Sequence, residues 1–177
     1  MKDLTRAINA HLELEFQASY SYLSMSIWLR EMDLAGFSHY MLSKSDEERG
    51  HAARMIAYLV DCDEQVLLPM IQSPPRQWQS VQQLFDQVFE QEKAVTASIN
   101  RLYALADSDG ERSAAAMLDW FVTEQIQEEA EARFVLKRLR LAGDNSAALL
   151  LLDQQFLEGT AMASVKLATG YGAAAGA

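Results

Sequence analysis

The sequence predicts an all-α fold, a four-helix bundle with a long crossover between helices two and three and a short fifth helix at the C-terminus. Apolar residues recur at spacings of three and four over four long segments, as on one face of a helix. The three prolines fall in one segment, Pro69 to Pro75, so they do not interrupt the helical patterns. The chain has 177 residues, half of them hydrophobic, which suits a single domain over residues 1–177.

The first two helices are predicted from about residue 3 to 31 and from about residue 36 to 61. On the first, the inward stripe of apolar positions includes Glu15 and, two turns later, Tyr22. On the second, Glu48 and His51 lie three residues apart, so both face the same side of the helix. A carboxylate and an imidazole at this spacing can bind one metal ion together.

After the second helix the periodicity fades, and residues 67–79, which contain Pro74-Pro75, form the predicted crossover. Such a connection allows helices two and three to run parallel. The third helix is predicted from Ser80, a favourable N-cap, to about residue 107. The fourth is predicted from about residue 111 to 141, ended by Gly143, and together the four helices make a bundle over about residues 3–142. The fifth is predicted over about residues 146–167, followed by a flexible tail at 170–177.

Each of the four long helices has a glutamate on the stripe that should be buried. An unpaired buried carboxylate is costly, so these residues should be protonated, paired or bound to a cation. If they converge at one level of the bundle, they form a site for two cations, and carboxylates with an imidazole favour iron or manganese. The glutamates, with the single imidazole, are Glu15, Glu48, Glu92, Glu128 and His51.

Composition narrows the function classes. The net charge of −10 argues against a nucleic-acid partner and favours cations. Cys62 is the only cysteine, so no internal disulfide can form, and a reducing compartment such as the cytoplasm is expected. The N-terminal residues have no signal-peptide pattern, and no apolar run is long enough to span a membrane.

Three segments resemble the signatures of the ferritin family, and the likeness covers nearly the whole chain up to the fifth helix. Residues 14–26 (LEFQASYSYLSMS) and 45–52 (SDEERGHA) are similar to the first and second ferritin helices. Residues 123–129 (TEQIQEE) are similar to the fourth helix of prokaryotic ferritins. The resemblance implies a ferritin-like four-helix bundle with a ferroxidase centre that contains two iron ions.

The resemblance also implies roles for individual residues. Glu15 and His51 would bind the first iron, Glu48 would bridge, and Glu92 with Glu128 would bind the second. In addition, Gln125 matches a family glutamine near the second iron, and Tyr22 matches a tyrosine beside the centre. Tyr40 and Trp120 resemble aromatic positions that are candidate electron donors.

Prokaryotic ferritins often have a third, outer iron site. Glu47, Glu124 and Glu128 match its ligands, but Gln127 stands where a glutamate is common. The resemblance therefore predicts a third site that is weaker than usual or missing.

Departures from relatives distinguish between types of ferritin. Bacterioferritins bind haem through a methionine at the position of Arg49, and their fourth helix has a second Glu-x-x-His where Glu131 replaces the histidine. No haem is therefore expected. Animal ferritins line their iron channels with acidic residues, and the corresponding residues here are Ala115 and Leu118. The resemblance therefore does not identify the route by which iron enters, and Asp119 is one candidate.

The resulting hypothesis is an iron-storage ferroxidase that oxidises Fe(II) with O2 or H2O2 and stores Fe(III) in a homo-oligomeric shell of twenty-four subunits. One alternative is another di-iron carboxylate oxidoreductase, such as a rubrerythrin-like peroxidase, which the absence of a Cys-x-x-Cys segment disfavours. Another is a metal-free helical interaction protein, which leaves the inward glutamates unexplained.

Overall fold

A computed structural model describes residues 2–162 of the chain. Within this range it contains five helices and no strand, so the predicted all-α bundle with a long crossover and a short fifth helix is confirmed. The helices are α1 (Asp3–Glu31), α2 (Ala35–Asp61), α3 (Val81–Ser108), α4 (Arg112–Ala142) and α5 (Ser146–Leu157).

Contacts between side chains establish the directions of the helices. Early residues of α2 meet late residues of α4, and late residues of α3 meet early residues of α4, so α4 is antiparallel to both. The pairs are Tyr40 with Glu131, Tyr58 with Ser113, Tyr103 with Asp119, and Thr96 with Glu129. Helices α2 and α3 therefore run parallel, as the predicted crossover allows.

The crossover, residues 62–80, follows α1 and is held to it by side chains of that helix. Asn9 accepts a hydrogen bond of 2.6 Å from the backbone N–H of Leu67, and Gln17 accepts one of 2.9 Å from that of Gln72. These bonds satisfy backbone groups that have no helix of their own. They keep a segment without helical structure against the bundle.

Helix ends follow the sequence signals, except for the end of α5. Ser80 caps α3 by accepting a 3.1 Å hydrogen bond from the N–H of Gln83, and Gly143, with φ of +52°, follows the last residue of α4. The prediction that α5 reaches about residue 167 is wrong: the helix ends at Leu157, and the chain turns at Gly159, where φ is +70°. Residues 163–167 and the predicted tail at 170–177 lie outside the described residues.

Helix α5 packs closely against the start of α2. A Cβ atom on Gly36 would lie only 1.9 Å from the backbone oxygen of Asp153, so only glycine fits there. The adjacent N–H of Phe37 donates a 2.8 Å hydrogen bond to the Asp153 carboxylate. This contact attaches the fifth helix to the bundle.

The apolar interior consists of two clusters, and a polar layer lies between them. One cluster contains Phe37 and Phe85, and the other contains Leu12 and Phe121. On every long helix the residue numbers of the five principal predicted ligands fall between those of the two clusters. The packing thus places the ionisable side chains at one level of the bundle. No helix within residues 2–162 has both the length and the apolar character needed to cross a membrane.

Candidate metal centre

The polar layer contains all five principal residues predicted from the sequence, and all are buried. Their exposed fractions are 0% for Glu15, 2% for Glu48, 5% for His51, 2% for Glu92 and 4% for Glu128. Such burial of ionisable groups is tolerated only with partners or a bound cation.

Three of these residues form what we call the inner cluster: Glu15, Glu48 and His51. Each offers one ligand atom, and the three atoms lie within 4.8 Å of one another. The His51 Nδ1 atom is 3.2 Å from Glu48 Oε2 and 3.5 Å from Glu15 Oε2. Two carboxylates and an imidazole from two helices therefore point at one place, as the ligands of a transition metal do.

A second histidine, His11, supports the inner cluster and was not predicted from the sequence. Its Nε2 atom is 2.6 Å from Glu15 Oε1, and its Nδ1 atom is 2.8 Å from the hydroxyl oxygen of Ser98. The spacing of four residues between His11 and Glu15 on one helix could have revealed this contact. The pair resembles the outer hydrogen bonds that orient metal-binding carboxylates.

The other carboxylate oxygen of Glu15, Oε2, is buried and has no hydrogen-bond partner among the described residues. An unsatisfied buried acceptor is rare and costs free energy. Because this oxygen faces His51 and Glu48, a cation bound there would satisfy it. The donor set of the inner cluster therefore fits a metal ion.

The charges of the inner cluster depend on one another. Burial raises the pKa of Glu15, but the hydrogen bond with His11 and the ion pair with His51 outweigh burial and lower it to about 2. Burial lowers the pKa of His51, but hydrogen bonds to Glu15 and Glu48 outweigh burial and raise it to about 11. Burial also raises the pKa of Glu48, and nearby carboxylates add to this effect. Without metal, a proton on His51 therefore balances part of the negative charge at neutral pH.

Glu92 lies beside this cluster and is held by two neighbours. The Tyr22 hydroxyl donates a short hydrogen bond to Glu92 Oε1, and the Gln125 amide lies 3.3 Å from Glu92 Oε2. Burial raises the pKa of Tyr22 well above its ordinary value, so the phenol stays protonated. The structure thus places Tyr22 and Gln125 against the Glu92 carboxylate.

Glu128, in contrast, pairs with a buried lysine that was not predicted from the sequence. Lys44 is 7% exposed, and its Nζ atom lies 2.8 and 2.7 Å from the two carboxylate oxygens of Glu128. The same nitrogen is 2.8 Å from Glu47 and 3.1 Å from Glu131. We call Lys44, Glu47, Glu128 and Glu131 the outer cluster. The position of Lys44 four residues before Glu48, on the same face of α2, was the available signal.

The residues predicted for a third site line one pocket of about 300 Å³ with Lys44. Glu47 and Glu128 both contact Lys44, and Glu124 and Gln127, which belong to α4 like Glu128, line the same pocket. A lysine ammonium therefore lies between two of the predicted third-site ligands.

The two candidate electron donors both adjoin the centre. The Tyr40 hydroxyl donates a 3.2 Å hydrogen bond to Glu131. The Trp120 ring packs edge-on against the His51 ring, with centroids 5.4 Å apart. Neither side chain lies between the metal-binding atoms, so each belongs to the surroundings of the centre.

The fold and the buried carboxylate and histidine cluster define a class of protein, the ferritin-like helical bundles. The family model described as a ferritin-like domain matches residues 5–142, which include α2, α3, α4 and all but the first two residues of α1.

Individual relatives agree with this match. The bacterial non-heme ferritin of Campylobacter jejuni is 32% identical over 153 residues, covering 86% of this chain and 92% of the relative. That of Bacteroides fragilis is 32% identical over 152 residues, covering 86% and 94%. The open pore ferritin of the archaeon Archaeoglobus fulgidus superposes with a TM-score of 0.86 at 33% identity, covering 88% and 96%. The chain therefore belongs to the non-haem ferritin family, and this membership supports a role in iron storage.

Proposed function

We propose that this protein is a ferroxidase that oxidises Fe(II) at an intrasubunit di-iron centre and stores the Fe(III) product. The observation that carries the proposal is the inner cluster, in which Glu15 Oε2 is buried, accepts no hydrogen bond and faces Glu48 and His51. In an apolar bundle core, buried ionisable side chains in this arrangement are costly unless they bind a cation. The family membership supplies the storage role, and the cluster supplies the chemistry.

The proposed division of ligands follows the resemblance. Glu15 and His51 bind one iron, Glu48 bridges, and Glu92 with Glu128 binds the other. Support comes from the burial of all five side chains in one layer of the bundle. The hydrogen bond from Tyr22 then orients Glu92, and the hydrogen bond from His11 orients Glu15.

Fe(II) is a substrate in this scheme. Two Fe(II) ions give one electron each, which reduces dioxygen to peroxide or hydrogen peroxide to water. Carboxylates favour the product because hard oxygen ligands stabilise the more highly charged Fe(III). The protein contributes position and charge rather than an organic reaction.

We further propose a hollow homo-oligomer of twenty-four subunits that holds the mineral. The solved relatives from Archaeoglobus fulgidus include an open pore ferritin and an engineered closed form. Repetition of a chain with a net charge of −10 gives a shell that attracts cations. We place this shell in the cytoplasm, where the exposed Cys62 would stay reduced, and expect no haem.

Anaerobic titration with Fe(II), followed by exposure to oxygen, tests the proposal. The wild-type protein should show a fast rise of absorbance as Fe(III) forms, and Glu48→Ala should lose it. Glu13→Ala is the matched control, because Glu13 is an exposed glutamate on α1. A slow reaction in the wild-type protein, or an unchanged fast reaction in Glu48→Ala, would contradict the proposal. Iron that is oxidised but not retained in the protein fraction would favour a peroxidase over a store.

A further inference from the structure

The outer cluster already contains a cation that belongs to the chain. The Lys44 ammonium contacts four carboxylate oxygens from three glutamates, all within 3.1 Å. Lysine is seldom buried, and here its long stem passes through the interior so that the charge reaches Glu128. Attraction to these carboxylates outweighs burial and keeps the pKa of Lys44 well above its ordinary value. The ammonium is therefore a permanent positive charge at this place.

Lys44 contacts the carboxylate of Glu128, which is a proposed ligand of the second iron. Both carboxylate oxygens of Glu128 are hydrogen-bonded to Lys44, at 2.8 and 2.7 Å. A metal ion bound to Glu128 would meet a positive charge within a few ångströms, in an interior where screening is weak. Lys44 and a metal ion therefore compete for the same carboxylate.

Nothing comparable stands in the inner cluster. There the carboxylates face the imidazole of His51, which is itself a metal ligand when neutral, and Glu15 Oε2 accepts no hydrogen bond and lies 3.5 Å from His51 Nδ1. The two halves of the centre thus differ in what a metal ion must displace. In the inner cluster the cationic partner of the carboxylates is His51, which is itself a proposed ligand, whereas the partner of Glu128 is a lysine side chain that has to move away.

The outer cluster also contains alternative carboxylate partners for Lys44. Glu47 and Glu131 already contact the ammonium and line the same pocket, and the Glu47 side chain is 50% exposed, so it can move with its partner. The lysine side chain carries its ammonium on a flexible stem of four carbon atoms. Lys44 can therefore turn away from Glu128 into the pocket of about 300 Å³ and keep two carboxylate partners.

We propose that Lys44 is a built-in counter-cation that makes the two metal positions unequal: Glu128 becomes available to a second metal ion only when Lys44 turns towards Glu47 and Glu131. This inference rests on the proposed di-metal centre and assigns a residue to the control of its second position. The apparent affinity of that position is reduced in proportion to the fraction of molecules in which Lys44 is turned away. Lys44 is a positioning residue, since it binds no metal itself.

The test uses zinc, which binds carboxylate and imidazole without redox chemistry. Zinc is titrated into the full-length assembled protein against a chromophoric chelator, and the two binding steps are fitted separately. The wild-type protein should bind one ion tightly and a second ion more weakly. Lys44→Gln should tighten the second step by about tenfold or more and leave the first within about threefold. Lys93→Gln is the matched control, because that lysine pairs with Glu90 on the surface and should change neither step.

A double variant acts in the opposite direction and leaves Lys44 intact. Glu47→Gln with Glu131→Gln removes the alternative partners of the ammonium, so Lys44 should stay on Glu128. The second step should then weaken by about threefold or more relative to the first. The same double change in the Lys44→Gln background gives the effect of the lost negative charge alone, so only the additional weakening seen when Lys44 is present supports the inference.

The outcomes separate this inference from the function on which it rests. If the wild-type protein binds no zinc, the di-metal centre is wrong and the inference falls with it. If the wild-type protein binds two ions but the second step is unchanged in Lys44→Gln, or in the double variant, only the role of Lys44 is wrong. Should Lys44→Gln fail to fold, an unchanged second step in the double variant still overturns the role of Lys44.

Discussion

The inner and outer clusters balance the negative charge of their carboxylates in two different ways. The inner cluster buries two carboxylates, Glu15 and Glu48, whereas in the outer cluster Glu128 is buried and Glu47 is half exposed. The inner cluster balances its charge with the imidazole of His51 and leaves one oxygen of Glu15 without a hydrogen bond, whereas the outer cluster balances its charge with the ammonium of Lys44. A group that can lose its proton leaves room for a metal ion, but a lysine has to move. Similar residue composition therefore does not mean similar readiness to bind metal.

The comparison also explains why the two sides need different supports. One oxygen of Glu15 is hydrogen-bonded to His11, and one oxygen of Glu92 accepts a hydrogen bond from Tyr22. Each of these two carboxylates therefore has a hydrogen-bond donor in a fixed position. Such outer hydrogen bonds set the orientation of metal ligands. Glu128 has no donor of this kind except Lys44 among the interactions of the described residues. The following variants test the contrast, from the largest expected effect to the smallest.

Removing the imidazole of the inner cluster should have the largest effect. We expect His51→Ala to weaken the first zinc-binding step by about 100-fold or more, because a direct ligand matters more than the outer contacts whose loss costs about 10- to 100-fold. Chelator competition measures this change. His39→Ala is the matched control, since His39 is exposed on the same helix and should behave like the wild type. An unchanged first zinc-binding step in His51→Ala would contradict the proposed difference between the inner and outer clusters.

The inner cluster should also release protons when it binds metal. The pKa of His51 is raised to about 11, above its ordinary 6.5, so the imidazole carries a proton from pH 6.5 to 8 and must lose it to bind metal. The apparent constant of the first step should rise about tenfold per pH unit for each proton released. Calorimetry in two buffers of different ionisation enthalpy counts the protons. A pH-independent first step would show that His51 is neutral before metal binds.

The same shift predicts how pH affects the metal-free fold. A folded-state pKa above the unfolded value stabilises the fold fully below about pH 6.5, and this contribution is lost as the pH rises towards 11. Glu15 acts in the other direction: its pKa is lowered to about 2, so its contribution is present above about pH 4.5 and disappears as the pH falls towards 2. Chemical unfolding of the metal-free protein across this range checks both signs.

His11 should have a smaller effect, exerted through Glu15. His11→Phe keeps the volume but removes the hydrogen bond to the carboxylate, so the first step should weaken by about tenfold. Without this hydrogen bond the pKa of Glu15 should also rise, and the acid limit of zinc binding should move to higher pH. His11→Gln, which retains a donor, should restore much of the affinity. A pure packing role would leave the pH profile of His11→Phe unchanged.

The smallest effect is expected at the outer edge of the pocket. Gln127→Glu restores the carboxylate that is common at the third site of prokaryotic ferritins, but Lys44 still lies between Glu47 and Glu128. We therefore expect less than about threefold tightening of any outer zinc step in this single variant, and a larger gain when Lys44→Gln is added. Strong binding in Gln127→Glu alone would show that Lys44 does not hold the outer carboxylates.

The sequence alone determined the helices and the residues that the bundle buries. Helical periodicity depends on neighbouring residues, so the bounds of α1 to α4 and the burial of Glu15, Glu48, Glu92 and Glu128 followed from spacing and from resemblance. The end of α5 did not follow, because the apolar pattern continues past the turn at Gly159. Periodicity shows which face is buried, but it does not show where a chain turns back.

Only the tertiary structure decided which partner each buried carboxylate has. Lys44 and Glu128 are far apart in the chain and meet only because α2 and α4 pack antiparallel, and the same is true of His11 and Ser98 on α1 and α3. Whether a buried charge is balanced by an imidazole, a lysine or nothing depends on distances between helices, since electrostatic and hydrogen-bond energies fall steeply with separation. No one-dimensional pattern encodes those distances.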